Sequence, residues 1–301
     1  MRAIVDERRA PVPERNPGDR SSGIAGRLLK LGGRTLDLAA PRVMGVVNVT
    51  PDSFADGRGT VDGARALDHA RQLVADGADL IDVGGESTRP GAVPVAEHDE
   101  LARVIPIVAA LASDGVCVSV DTMKPAVMRA AIGAGAAMIN DVRALAAEGA
   151  MEAVSGAGVA VCLMHMRGDP RTMQVAPVYD DVLREVADFL AARADACIAA
   201  GIARDRIVVD PGFGFGKTLA HNLSLLRGLP RIAALGFPVL AGLSRKSMLG
   251  TLTGRGVGER TAASVAAALA AVARGASILR VHDVRETVDA IRVWQAINQV
   301  G

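Results

Sequence analysis

Eight short apolar runs recur along the chain, and each ends in polar or charged residues. They read VMGVVN to Asn48, LIDVGG to Glu86, VCVSV to Asp121, MIN to Asn140 and Asp141, VAVCLMH to His165, IVVD to Asp210, VLAGLS to Lys246, and ILRVH to His282. Short apolar runs bounded by turn residues predict buried strands. Stretches with helical potential alternate with them, at roughly 60–76, 96–112, 125–134, 147–155, 179–200, 219–228, 259–274 and 284–298. In the first of these, Ala66, Ala70, Leu73 and Val74 share one face, with Arg65, Asp68 and Arg71 elsewhere. Eight alternations of strand and helix predict an α/β fold, a (β/α)8 TIM barrel. Active sites in such barrels are built at the C-terminal strand ends, which is where the polar residues fall, so the pattern points to an enzyme.

Ahead of the barrel, RLLKL and RTLDL flank Gly32-Gly33, a pattern that predicts a β-hairpin placed to cap the barrel bottom. The expected organisation is a disordered tail at 1–22, a hairpin at 23–40 and one barrel domain at 41–301. With half of the 301 residues apolar and aromatics at 2%, the core must be aliphatic, which suits a parallel sheet covered on both faces. A net charge of +1 argues against a nucleic-acid partner. Cys117, Cys162 and Cys197 form no CxxC pair, and Cys117 and Cys162, within predicted strands, read as reduced, buried thiols, consistent with a cytoplasmic protein. The N-terminus lacks the apolar segment of a signal peptide, and the longest apolar run, Thr261–Ala273, is too short to span a bilayer. That Ala-rich helix is expected to pack on the barrel or on a partner subunit.

Two resemblances fail on inspection. Pro211–Thr218 would be a phosphate-binding P-loop if position 211 were glycine, and Gly242–Lys246 would be a nucleophile elbow if position 246 were glycine. Asp121, Asn140 and Asp210 remain at strand ends, as acceptors suited to a planar heterocycle rich in N–H donors. Helix capping explains any one of them alone, whereas three at different strand ends favour a site. Arg89, Lys217, Lys246, Arg280 and His282 follow strands two, six, seven and eight and suit an anionic group, although Lys217 reads equally well as a surface lysine. Arg280 and His282 alternate and so share a face. Loops 48–57 and 84–92 are long and rich in Gly, Pro, Ser and Thr, and suit closure over a ligand. Asn48 and Asp52 are candidate oxygen ligands for Mg²⁺.

The strings NVTPDSF, DVGGESTRPG, SVDTMK, IND, MHMRGDPRTMQ, DPGFGFGK, GLSRKS and RVHDV, in this order over about residues 26–298, resemble the dihydropteroate synthase family. The resemblance implies a usually homodimeric barrel that joins 6-hydroxymethyl-7,8-dihydropterin diphosphate to p-aminobenzoate. It implies pterin binding by Asp121, Asn140, Met164, Asp210, Lys246 and Arg280, with diphosphate on Asn48, Arg89, Arg280 and His282 and Mg²⁺ on Asn48. It implies a p-aminobenzoate pocket of Thr88, Arg89, Pro90, Phe215, Lys217 and Ser247, open also to sulfonamides, with Arg89, Asp121 and Lys246 as the catalytic set. The first loop departs from the family's SDGG, reading Ala55-Asp56-Gly57-Arg58. A methyltetrahydrofolate methyltransferase would share Asp121, Asn140 and Asp210 but would have no use for ESTRPG, the SRKS lysine or RVH. A pterin-binding paralogue without turnover would be expected to carry substitutions at the diphosphate or amine sites, and none is found there.

Overall fold

The structure, a computed structural model, describes residues 28–50, 62–87, 91–169 and 172–298. The expected tail at 1–22 and the loop positions Asp52, Ala55–Arg58 and Thr88–Pro90 lie outside them. Strands β1 (Leu28–Leu31) and β2 (Arg34–Asp37) pair antiparallel, Leu31 opposite Arg34, around a turn in which Gly32 takes φ +59°. Alternation along β1 exposes Leu28 and Lys30 and buries Leu29 and Leu31. The two buried leucines and Leu38 pack on Met44, Leu80, Met138, Val208, Leu240 and Ile278 in the barrel interior. Burying each leucine contributes about 2 kcal/mol. The hairpin therefore plugs the bottom of the barrel, the role its sequence suggested.

Eight parallel strands follow: β3 (Arg42–Asn48), β4 (Leu80–Gly84), β5 (Val118–Asp121), β6 (Met138–Asp141), β7 (Ala160–Met164), β8 (Ile207–Asp210), β9 (Val239–Ala241) and β10 (Ala276–Val281). They close into a barrel in the order β10-β3-β4-β5-β6-β7-β8-β9. Outside lie α1 (Gly63–Ala75), α2 (Glu97–Ser113), α3 (Pro125–Gly133), α4 (Ala150–Val154), α5 (Val182–Ala199), α6 (Leu219–Arg227), α7 (Leu229–Ala233), α8 (Ser247–Thr253), α9 (Thr261–Val272) and α10 (Val284–Asn298). α1 buries Ala66, Ala70 and Leu73, the face expected of it, and starts where the Asp62 side chain accepts the Arg65 N–H. α3 begins on Pro125, which has no N–H to leave unsatisfied. Two short helices, α7 and α8, were not expected. α7 is set off from α6 by Gly228 and starts at Leu229-Pro230, and α8 carries Gly250 and three threonine or serine residues within a single short segment. Among the described residues no helix is long and apolar enough to cross a membrane.

Both faces of each barrel strand are buried, so inward and outward residues look alike in sequence. Outward-facing Val43, Val47, Ile81 and Val83 join the helix-packed core, while inward-facing Met44, Leu80 and Met138 join the hairpin. Two residues further along, the inward series turns polar. Asp82 stands beside Val46 and Ser119, and one layer higher Gly84, Asp121, Asn140 and Cys162 stand in one row. On the far wall, Met164 pairs with Asp210. The interior thus passes from an apolar floor to a charged mouth.

Candidate active site

Arg280, on the inward face of β10, is the hub of the mouth. Its Nε donates to Asp82 Oδ2 at 2.6 Å and its Nη2 to Asp121 Oδ2 at 2.8 Å. Asp82 Oδ2 also accepts from Asn140 Nδ2 at 3.0 Å. Burial alone would lower the guanidinium's pKa, but the Asp82 and Asp121 carboxylates outweigh it and hold Arg280 above its ordinary range. Asp121 is pushed up to about 7, chiefly by burial, against the pull of Arg280 and with the help of the Asp82 charge. Asp210, also raised by burial, accepts the Gly212 N–H on Oδ1 at 2.7 Å.

One oxygen each of Asp121, Asn140 and Asp210 makes no hydrogen bond within the described residues. Unlike the oxygens of Asp82, Glu100 and Ser119 that are both buried and unpaired, these three open onto the mouth, where water or a ligand can satisfy them. Lys246 lies among them, its ammonium 4.1 Å from the centre of the Phe215 ring. Burial brings its pKa down to about 8; Asp210 and Asp121 oppose the fall and Arg280 adds to it. Lys246 is aimed by its neighbour: Arg245 takes φ +58° and forks onto the Asp283 carboxylate at 3.1 and 2.5 Å, while Arg260 donates to the Arg245 carbonyl at 3.1 Å. Ser247 follows, exposed at the start of α8.

Two residues before Lys246, Ser244 Oγ accepts the His282 backbone N–H at 3.2 Å and lies 3.1 Å from His282 Nδ1. Asn48 ends β3 on the same inward-facing series as Met44 and Val46. Met164 is buried at the end of β7. The structure therefore brings Asp121, Asn140, Asp210, Lys246 and Arg280 into one mouth, with Phe215 against Lys246 and with Asn48, Met164 and His282 at strand ends around it.

Lys217 is not a surface residue. It is 3% exposed, and its ammonium donates to the carbonyls of His165, Gly212 and Phe215 at 3.2, 2.9 and 3.0 Å, with His165 Nδ1 at 3.0 Å. Burial brings Lys217 down to about 7, and burial together with Lys217 brings His165 down to about 3, so a neutral imidazole receives the proton. The segment that resembled a P-loop is thus a loop wound around its own lysine. Gly212 and Gly216, at φ +66° and +63°, make the winding possible, since a Cβ on either would overlap the carbonyl of His165 or Arg167. Asp141 turns from the mouth and caps its own loop, accepting the Arg143 and Leu145 N–H groups at 2.8 Å each. Glu86, at the root of the second loop, shares Lys124 with the buried Glu100 of α2.

Sequence reasoning gave no site role to Asp82 or Lys124, and weighed Ser244 only as the serine of the nucleophile elbow that failed. Asp82 left a visible signal, a charge in the middle of an apolar run. Ser244 and Lys124 act through contacts between distant segments and left none.

A mouth of inward-facing acceptors and cations on a (β/α)8 barrel defines a pterin-binding enzyme, and residues 44–282 match the family described as pterin binding enzyme. The chain is 51% identical over 265 residues to a dihydropteroate synthase of Escherichia coli (strain K12), covering 88% of this chain and 94% of that one. It superposes with a TM-score of 0.87 on Xanthomonas albilineans dihydropteroate synthase with 4-aminobenzoic acid, 54% identical, over 92% of this chain and 100% of that one. A Yersinia pestis dihydropteroate synthase with a sulfonamide drug gives 0.86 at 49% identity, over 91% and 100%. The chain belongs to the dihydropteroate synthase family.

Proposed function

We propose that this chain joins 6-hydroxymethyl-7,8-dihydropterin diphosphate to p-aminobenzoate, giving 7,8-dihydropteroate and pyrophosphate, a step of folate biosynthesis. The observation that carries this reading is the set of unpaired acceptor oxygens on Asp121, Asn140 and Asp210 beside Lys246 and Arg280. A pterin ring edge supplies the missing N–H donors. Asn48, Arg89, Arg280 and His282 receive the diphosphate, and Thr88, Arg89, Pro90, Phe215 and Ser247 surround the arylamine, with Lys217 holding the Phe215 loop from within and sulfonamides as competitors for that place.

In the reaction the amine lone pair forms the C–N bond to the pterin methylene. The C–O bond to the diphosphate breaks, its electron pair leaves with pyrophosphate, and the amine gives one proton to water. An arylamine is neutral near pH 7 and needs no strong base. Asp121, when ionised, offsets positive charge gathering on the methylene. Lys246 and Arg280 hold the ring in line with the amine, and Arg89 bridges leaving group and amine.

Mg²⁺ belongs to the same reading. Asn48 offers one hard oxygen, and its side chain makes no hydrogen bond within the described residues. Among those residues no three metal-binding side chains cluster, so the other ligands would be diphosphate oxygens and water, the usual company of this ion. When bound it neutralises charge on the leaving diphosphate. A cytoplasmic homodimer completes the proposal. The three unpaired thiols suit a reducing compartment, and Leu252, Val257, Val293 and Ile297 expose apolar surface on segments near α9.

Two variants test the assignment of roles. Asp210→Ala should abolish pterin binding. Arg89→Ala should lose turnover while pterin binding survives. Unchanged turnover in Arg89→Ala would remove that residue from the mechanism.

A further inference from the structure

Asp82 is fully buried, and no role in the reaction set out above falls to it. Its Oδ2 takes two donors, Arg280 Nε and Asn140 Nδ2. Among the described residues its Oδ1 has no partner, and neither has the hydroxyl of Ser119, its register neighbour on β5. A buried carboxylate with an orphaned oxygen is a poor device for stability, because well-packed apolar residues often replace buried ion pairs at no loss. What Asp82 does supply is orientation. The Asn140 carboxamide has two chemically opposite ends, and a carboxylate only accepts. Nδ2 must therefore face Asp82, which turns Oδ1 away from it. The Arg280 guanidinium is held at two of its three nitrogens, Nε on Asp82 and Nη2 on Asp121.

We propose that Asp82 is a positioning residue of the pterin site: it sets Asn140 to present its carbonyl oxygen to the N–H edge of the ligand and fixes the pose of the Arg280 guanidinium. The inference rests on the pterin reading above. In Asp82→Asn the new amide can donate to Asn140, which frees the carboxamide to turn over and leaves Arg280 with one charged partner.

The test is calorimetric binding of 6-hydroxymethylpterin to native protein and to Asp82→Asn, with KM for p-aminobenzoate and the melting temperature measured alongside. Pterin affinity should fall roughly 10- to 100-fold, the range expected for losing oriented hydrogen bonds to charged groups. KM for p-aminobenzoate should move less than about twofold. A role in folding alone would lower the melting temperature and leave the affinity of the folded protein within about twofold of native, which would overturn the proposal. If Asp82→Asn does not fold, neutron diffraction of native crystals reads the same point. Two deuterons on the Asn140 atom facing Asp82 support the inference, and two on the atom turned away from it overturn it. Native protein that fails to bind 6-hydroxymethylpterin would instead sink the pterin reading itself.

Discussion

Replacing Lys217 with methionine separates a lysine that holds a loop from a lysine that touches a ligand. Methionine keeps most of the aliphatic stem and removes the ammonium. Three acceptors, the His165 and Phe215 carbonyls and His165 Nδ1, lose their donor at once, while the Gly212 carbonyl keeps the Phe215 N–H at 3.1 Å. Each deserted buried acceptor costs about 1–3 kcal/mol. Relief of the ammonium's own burial offsets part of that sum, since its pKa is already down to about 7. A net loss of about 3 kcal/mol follows, or roughly 6 °C in melting temperature for a chain of this size. The assay is urea unfolding with the slope checked for constancy, beside KM for p-aminobenzoate. Stability within about 0.5 kcal/mol of native, with the amine KM sharply raised, would refute the loop role and leave only direct ligand contact.

Gly212→Ala puts a Cβ on the His165 carbonyl at positive φ, so it should destabilise the fold by more than about 4 kcal/mol, read as loss of soluble folded protein. Activity should fall below about pH 7 as Asp121 takes a proton and above about pH 8 as Lys246 loses one, giving a bell in the rate profile. Stability carries the opposite sign at two groups. The folded Lys217 pKa is depressed, so the unfolded chain holds more protons between about 7 and 10.5 and stability rises with pH across that window. The folded Asp121 pKa is raised, so its contribution to stability falls as pH climbs from 3.8 to about 7. Calorimetric melting between pH 4 and 10 checks both signs.

Much of this site was legible in the sequence because a barrel puts its chemistry at strand ends, and Asp121, Asn140, Asp210 and Arg280 do stand there. Asp82 was missed because a strand buried on both faces shows no alternation. Stepping back two residues from Gly84, the register neighbour of Asp121, would have placed Asp82 inward. Lys217 was read as equally fit for the surface because its burial depends on the path of the Gly212–Gly216 loop, which is set by backbone dihedrals and tertiary contact. Asp141 shows the limit of a strand-end rule, since its neighbour Asn140 faces the mouth while it caps a loop outside. Short helices such as α8 escape periodicity because a single turn or two gives too few positions to show it.

The most direct test of the account is pyrophosphate release from 6-hydroxymethyl-7,8-dihydropterin diphosphate with Mg²⁺, measured with and without p-aminobenzoate. The account predicts release that depends on the amine and is suppressed by a sulfonamide. Tight pterin binding with no amine-dependent release would contradict it and make the chain a binding protein on an enzyme's fold.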